Sequence, residues 1–504
     1  MIRIGIWRAA LVCTAFAAAF VVAGFGVQSH EARVALAQEG SGQCGALRVA
    51  AAMPKSVLFN GAVDPQGSAD CFAWQEFFYL NWRAQPGSVG LPDPSASPSA
   101  FGTPATSPSQ ITTTVWESYH PATDVFPDAV YSAVSARPRP GVEVLAATSK
   151  FDGDAIDLHG IQQATTGWLT DQKRKLTFYE VRVDNDEYQY ITTNHLGTIA
   201  GQQACVNAKY GLQLPAGSGP SGTAIDHDCT GATKTYGQNF GAIELKAAWI
   251  ELPDRKTWSK YLTALADIYA PGLPPRKNVV VGLVGLHIIH KVPNQQQLNW
   301  ATFEHVDNAP NASATPNPTA TWTYNNPNCN PSTDHYKCVP NTKPSTPCLA
   351  AKGATASCDP LYAPIQVTRL TAIDSNASPV NAKAWALIQK ANPASVFLNY
   401  ELVQVQWPTN GTAVVPPGSR VPLPDGSSLP RAPVANTTME TYIQNKTCFY
   451  CHQYAPIASR KLLRASNGGN ILTIPANPGL TAHVKAKDDA AFGSDYSFLF
   501  QKAR

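Results

Sequence analysis

The sequence predicts an α+β protein: one large β-rich domain with peripheral helices, followed by a short helical segment near the C-terminus. Three observations carry this. The most apolar run beyond the leader, NVVVGLVGLHIIHKV (Asn278 to Val292), is dense in Val and Ile and is joined through NQQQ to a second β-type run, LNWATFEHVDNAP; this reads as a hairpin at the centre of a sheet. GAIELKAAWIEL alternates, with Ile243, Leu245 and Ala247 on one side and Glu244, Lys246 and Ala248 on the other. Helical patterns are few and lie at the edges of this region, chiefly CFAWQEFFYLNWRA and NAKAWALIQKA.

The chain has 504 residues, enough for two or three domains or for one large β-rich unit with an appendage. Apolar content is 44%, ordinary for a chain that buries a core. Charged content is 14% and the net charge +3, with no long basic run, so nothing suits a nucleic-acid partner. With 41 prolines and 35 glycines, loops must be long.

Element by element, the first segment is an export leader over 1–37. Arg3 and Arg8 precede an apolar run from Ala9 to Val27, and Ala35-Leu36-Ala37 offers a cleavage site before Gln38. The alternative is an uncleaved anchor, since about 19 apolar residues nearly span a bilayer; with cleavage, no stable membrane insertion is expected. Cys71 to Ala84 follows as a helix that is apolar nearly all round, so its aromatic residues suit a core better than a cofactor pocket. Ala84 to Gln110 is a Pro/Ser/Gly loop. KLTFYEVRVD and EYQYITTN read as strands, followed by GAIELKAAWIEL and the hairpin. Residues 308–365 form a long Asn/Pro/Thr loop, Asn381 to Ala391 a helix, NYELVQVQWP a strand, and 410–432 a proline-rich loop. The domain scheme is therefore 1–37, 38–432 and 433–504.

Eleven cysteines are present, and Cys13 lies inside the leader. Cys448 and Cys451 belong to a motif discussed below. The other eight (Cys44, Cys71, Cys205, Cys229, Cys329, Cys338, Cys348 and Cys358) are an even set, as expected of disulfides in an oxidising compartment. Nearest-neighbour pairing gives Cys44 with Cys71 and Cys205 with Cys229, and leaves three connectivities for the last four. Their wide spacing does not match the close pairs zinc prefers.

The motif is NKTCFYCHQYAP, with Cys448, Cys451 and His452 as C-x-x-C-H. Asn436 to Thr447 precedes it with capping-box character, Thr437 standing three before Glu440, so a helix is expected to run toward Cys448. A redox dithiol would want a βαβ setting, and none is visible. A zinc site would need two more ligands, and only His483 follows. Covalent haem c uses every part of the motif: both thiols join the vinyl groups, and His452 becomes the proximal ligand of the iron. The mature methionines, Met53 and Met439, both precede the motif, which does not suit a Met/His carrier. Distal candidates are His287 and His305 in the apolar hairpin; His290 is three residues from His287 and must face the other side of a regular strand. Across the turn, His287 is expected near Glu304 or His305, according to register. Of other constellations, GSGPSG lacks the G-x-S-x-G register and DHDC (Asp226 to Cys229) is a weak metal candidate.

CFAWQEFFYLNWRA, VWESYHPATDVF, IELKAAWIEL, VGLVGLHIIHKV, WATFEHVDNAP and ANTTMETYIQNKTCFYCH together resemble a group of bacterial exported monohaem proteins described only as "cytochrome c family protein". The resemblance covers most of the mature chain. It implies a haem site at Cys448, Cys451 and His452, with His287 and His305 at matching motif positions. It implies no reaction, and the stretches 308–365 and 410–432 depart from it. The expected function is periplasmic electron transfer with a redox partner protein. The alternatives are a haem enzyme with an open distal site, acting on a peroxide or nitrogen oxide, and a ligand-sensing role.

Overall fold

The computed structural model describes residues 44–54, 62, 64–126, 139, 141–146, 168–218, 226–270, 273–293, 295–330, 332, 338–343, 347–348, 359–360, 362–407, 432–452, 455–458 and 492–503. The leader, Cys13, Cys358, His483 and most of the proline-rich stretch near 410–432 lie outside them.

The described strands are β1 (His120–Pro121), β2 (Val142–Leu145), β3 (Phe178–Val183), β4 (Asp226–His227), β5 (Thr233–Lys234), β6 (Ile243–Glu251), β7 (Thr263–Ile268), β8 (Arg276–Val292), β9 (Gln295–His305), β10 (Pro347–Cys348), β11 (Asp359–Pro360) and β12 (Tyr400–Gln406). The helices are α1 (Pro65–Leu80), α2 (Asn185–Thr193), α3 (Ile199–Val206), α4 (Ala377–Ala391) and α5 (Cys448–His452). Eight strands form one sheet, in the order β1-β3-β6-β8-β7-β2, with β9 also on β8 and β12 on β9. The pairs are antiparallel except β2 with β7. This is the β-rich α+β architecture expected.

The 17-residue strand β8 organises the sheet. β6 pairs with one edge of it over Val281 to His290. The opposite edge serves β7 over Arg276 to Gly282 and then β9 over Gly285 to Val292. Beyond β7, the sheet curls until Glu143 of β2 meets Arg182 of β3, a buried ion pair between strands at opposite ends of the path.

The two faces differ. One, the helix face, carries Leu286, Ile288, His290, Ala301 and Phe303 under α1 and α4. Phe77 lies 4.5 Å and Trp74 5.1 Å from the Phe303 ring. Helix α1 starts where Asp64 caps the Gly67 N–H at 3.0 Å, with Pro65 as its first residue. Asn381 of α4 accepts from Trp74 Nε1 at 2.8 Å and exchanges two hydrogen bonds with the Leu402 backbone, locking both helices to β12.

The other face carries two cross-strand rows. Val181, Lys246, His287, Thr302 and Gln404 form one; Val183, Glu244, Ile289, Trp300 and Gln406 form the next. It is covered by the strap formed of 432–452 and 455–458 and by the tail 492–503. Contact is so close at Gly285 that a Cβ there would collide with Thr438 Oγ1 and Asn436 Oδ1.

Three expectations need correction. EYQYITTN is not a strand but part of α2: Asp184 caps it, Asp186 and Glu187 occupy its first turn, and Asp186, Glu187, Tyr190 and Ile191 are its buried residues. The stretch before Cys448 is a series of turns, and helix is confined to Cys448–His452. Asn436 turns its amide nitrogen to Thr302 and the Phe303 carbonyl and Thr437 donates to Glu304, so the cap Thr437 would supply is drawn to the sheet, while Glu440 still accepts the Asn436 N–H. The hairpin register sets Thr302 opposite His287 and Glu304 opposite Gly285, so neither Glu304 nor His305 is the cross-strand partner of His287. Cys44–Cys71 and Cys205–Cys229 are bonded as expected, and Cys329–Cys338 is the third bridge among the described residues.

Candidate functional site

Helix α5 places the C-x-x-C-H motif at the β12 end of the strap face. Its first N–H, from Cys448, donates to Gln406 Oε1 at 2.9 Å. Thr447 Oγ1 accepts from the Tyr450 N–H at 3.0 Å, the hydrogen bond of a helix cap. Phe449 is buried against Trp300 at 5.5 Å and Tyr496 at 5.8 Å, which fixes the rotation of the single turn. Cys448 is half-buried.

His452 is buried between two aromatic rings, Trp300 at 4.3 Å and Phe498 at 5.0 Å. Its Nδ1 lies 2.8 Å from the backbone carbonyl of Tyr496. A carbonyl only accepts, so Nδ1 is the donor and carries a proton. A hydrogen bond of this kind orients a metal-ligating histidine and raises its basicity.

His452 and His287 line one cleft, together with Ile289, Phe498, Leu499 and Lys502; its empty space, including that continuous with solvent, is about 560 Å³. His287 sits one row from Trp300 on the same face, and its Nε2 is 3.3 Å from Glu440 Oε2. Glu440 also accepts the Asn436 N–H at 3.0 Å, so its carboxylate is held in place. Lys246 reaches over the Tyr179 ring at 5.3 Å. Glu244 lines the cleft. Burial, then the negative charges of Glu244 and Asp184, push the Glu187 carboxyl well above its ordinary range.

The other histidines are elsewhere. His305 is on the helix face, stacked on Tyr261 at 4.1 Å; its Nε2 lies 2.9 Å from the Lys260 carbonyl, and its Nδ1 accepts the Asp307 N–H. His290 is also on that face, between the Phe240 carbonyl (3.0 Å) and Glu76 (2.5 Å). Met439 is buried in the main apolar cluster, whereas Phe449 belongs to the second, around Tyr190, Trp300 and Phe500. In DHDC, Asp226 accepts the Ala216 and Gly217 N–H groups and Cys229 is bridged, so the loop is structural. Among the described residues no group of three or more His, Cys, Asp or Glu is placed to hold a metal ion. Nor is any described helix long and apolar enough to cross a membrane.

Sequence reasoning missed Tyr496, Glu440 and Trp300. A backbone carbonyl leaves no trace in residue identity. Trp300 was legible only as an apolar strand position, and Glu440 only as a capping residue. The site brings an imidazole oriented by a backbone carbonyl to a cleft that a second histidine also lines, with Cys448 in the same helical turn. Comparison with protein-family models, curated proteins and solved structures found no match to this chain.

Proposed function

We propose that this chain is an exported c-type cytochrome with one covalent haem c, held by Cys448 and Cys451 and ligated through His452 Nε2, and that it exchanges electrons with a partner protein in the periplasm. The observation that carries the reading is the hydrogen bond from His452 Nδ1 to Tyr496 O, which prepares Nε2 as a ligand at the mouth of an apolar cleft. The residues present fit the group. Phe498, Ile289 and Leu499 give the cleft an apolar lining, Trp300 packs on His452, and Lys246 and Lys502 would meet the carboxylates of a porphyrin. When bound, haem supplies one-electron exchange at iron. Three disulfides and the leader sequence support an oxidising compartment, and the likeness to bacterial exported monohaem proteins supports the same cofactor.

His287 is the distal candidate, because it shares the cleft with His452; His305, with both ring nitrogens hydrogen-bonded on the opposite face, is not. One observation favours a second reading. Nε2 of His287 approaches Glu440, which suits a distal acid–base group in a haem enzyme for peroxide or nitrogen oxides. The ferric spectrum separates them: low-spin bis-histidine for the carrier, high-spin iron that binds cyanide readily for the enzyme.

The test of the cofactor is expression with a cytochrome c maturation system, denaturation and acid–acetone extraction. Haem should stay with the protein, and Cys448→Ala with Cys451→Ala should abolish it. Haem that leaves with the solvent, or none bound, overturns the proposal.

A further inference from the structure

The carbonyl that fixes His452 belongs to an unusual turn. Asp495 (φ 53°) and Tyr496 (φ 69°) are consecutive non-glycine residues in the left-handed region, where a side chain is disfavoured. Such a conformation persists only where its surroundings over-determine it. Here they do. The Asp495 carboxylate accepts from Lys291 Nζ at 2.6 Å and from the Leu214 N–H at 2.8 Å. The ion pair is buried, with side-chain exposures of 3% and 4%. Immediately before it, Ser494 donates from its backbone N–H and its hydroxyl to the Ala455 carbonyl, three residues after His452. Immediately after it, the Tyr496 ring packs edge-on against Phe449 of α5. The one charged anchor of the turn is therefore Lys291, next to His290 near the end of β8.

We propose that Lys291 and Asp495 are positioning residues for the axial histidine: their buried ion pair holds the Tyr496 carbonyl against His452 Nδ1 and so sets the tautomer and donor strength of Nε2. This rests on the reading of His452 as the iron ligand. Asp495 directly precedes Tyr496, so the pair reaches His452 through that residue's carbonyl. A well-held acceptor on Nδ1 increases electron density at Nε2, and that stabilises ferric over ferrous iron. Without the pair, the turn relaxes, the acceptor withdraws and the ring reverts toward the ordinary mixture of tautomers.

The experiment uses Asp495→Asn, which keeps the shape and an acceptor for Leu214 but removes the charge. The full chain is prepared with ring-¹⁵N histidine, both haem-free and matured. In the haem-free parent, His452 should show a protonated Nδ1, and D495N should lose that signature. In the matured protein, D495N should keep its covalent haem, show a higher midpoint potential, and lose axial coordination in acid about 10-fold faster, the lower end of the range for supporting partners of metal ligands. Arg276→Met, which breaks the Glu251 pair at the other end of β8, should lower stability and leave the tautomer and potential at parent values. If D495N does not fold, Lys291→Met with Asp495→Asn removes both charges and takes its place. An unchanged tautomer together with an unchanged potential overturns the positioning role. A parent that takes up no haem, yet shows the Asp495-dependent tautomer, overturns the haem reading and leaves the positioning role standing.

Discussion

The helix face and the strap face are built from the same strands and are both buried, yet different forces hold their covers. On the helix face, α1 docks through large rings, Trp74 and Phe77 against Phe303 and Phe397, at centroid distances of 4.5 to 5.4 Å, and α4 through Trp385 and Asn381. On the strap face, 432–447 makes turns rather than a long helix and docks largely through polar groups. Glu304 accepts from Thr437 and pairs with buried Arg369, Asn436 bridges to Thr302, and Tyr179 donates to the Thr438 carbonyl. Apolar packing is tolerant and non-directional. Directed hydrogen bonds fix orientation; on the helix face they supplement ring packing at Asn381 and Trp385, whereas on the strap face they are the main means by which 432–447 docks. The lesson is a division of labour within one sheet: stability from one side, placement from the other.

The largest expected effect that tests this division comes from Phe77→Ala. It should destabilise the protein by about 3–5 kcal/mol, read by denaturant unfolding, while the absorption spectrum of matured protein stays that of the parent. A changed spectrum would break the division.

Next is the Cys205–Cys229 bridge, beside α3. Gln202 of α3 accepts from Ala458 and donates to the Phe500 carbonyl, tying both sides of the site. Removing the bridge should cost about 2–4 kcal/mol and, unlike F77A, broaden the electronic spectrum of the site.

Smaller effects come from the two hairpin histidines. His305→Ala strands the Lys260 carbonyl and the Asp307 N–H and should cost about 1–3 kcal/mol with the spectrum unaltered. His287→Ala should change the ferric spin state or the cyanide on-rate. Matching spectra and ligand kinetics in both variants would remove the hairpin from the site.

The last effect, spread over pH rather than made by deleting a contact, is a pH dependence placed on the helix face. Where the sheet curls, Glu117, Glu143, Glu180 and Arg182 are buried together. Burial raises the Glu117 carboxyl to about 7, against hydrogen bonds from Thr114 and the charge of Arg182. The folded chain then holds a proton that the unfolded chain releases near 4.5, so this group's contribution to stability falls as pH rises from about 4.5 to 7, by at most about 1.4 kcal/mol per pH unit. Glu117→Gln should flatten that slope in unfolding measured at pH 5 and pH 7.5. An identical slope in the variant would place the titration elsewhere.

Much of the helix face was legible in the sequence, because periodicity encodes burial. The hairpin, the strand of alternating Ile243 to Trp249, the helix through Trp74 and the helix through Trp385 all follow from residue spacing, as do two disulfides from neighbour pairing. The strap face was legible only at its motif. EYQYITTN carries an alternation of Tyr and polar residues that suits a strand, but Asp184 as cap and two acids in the first turn favour helix. The capping pattern before Cys448 is real in the sequence, yet Thr437 is drawn to Glu304 and the Asn436 amide nitrogen to Thr302 on a strand distant in the chain, contacts no local pattern reports. The orienting carbonyl of Tyr496 is backbone, and so is silent in any reading of side chains.

The docking of the strap through side chains rather than a strand ladder has a consequence in time. Amides of β8 are locked on both edges, so exchanging them with solvent deuterium needs global unfolding. The turns from Asn436 to Thr447 add no strand to the sheet and can lift as a unit at lower free energy. In a pulse of deuterium the strap should label first, with β8 still protected. A sheet that is already formed would then present its row of His287 and Thr302 before the segment bearing Cys448 closes over it.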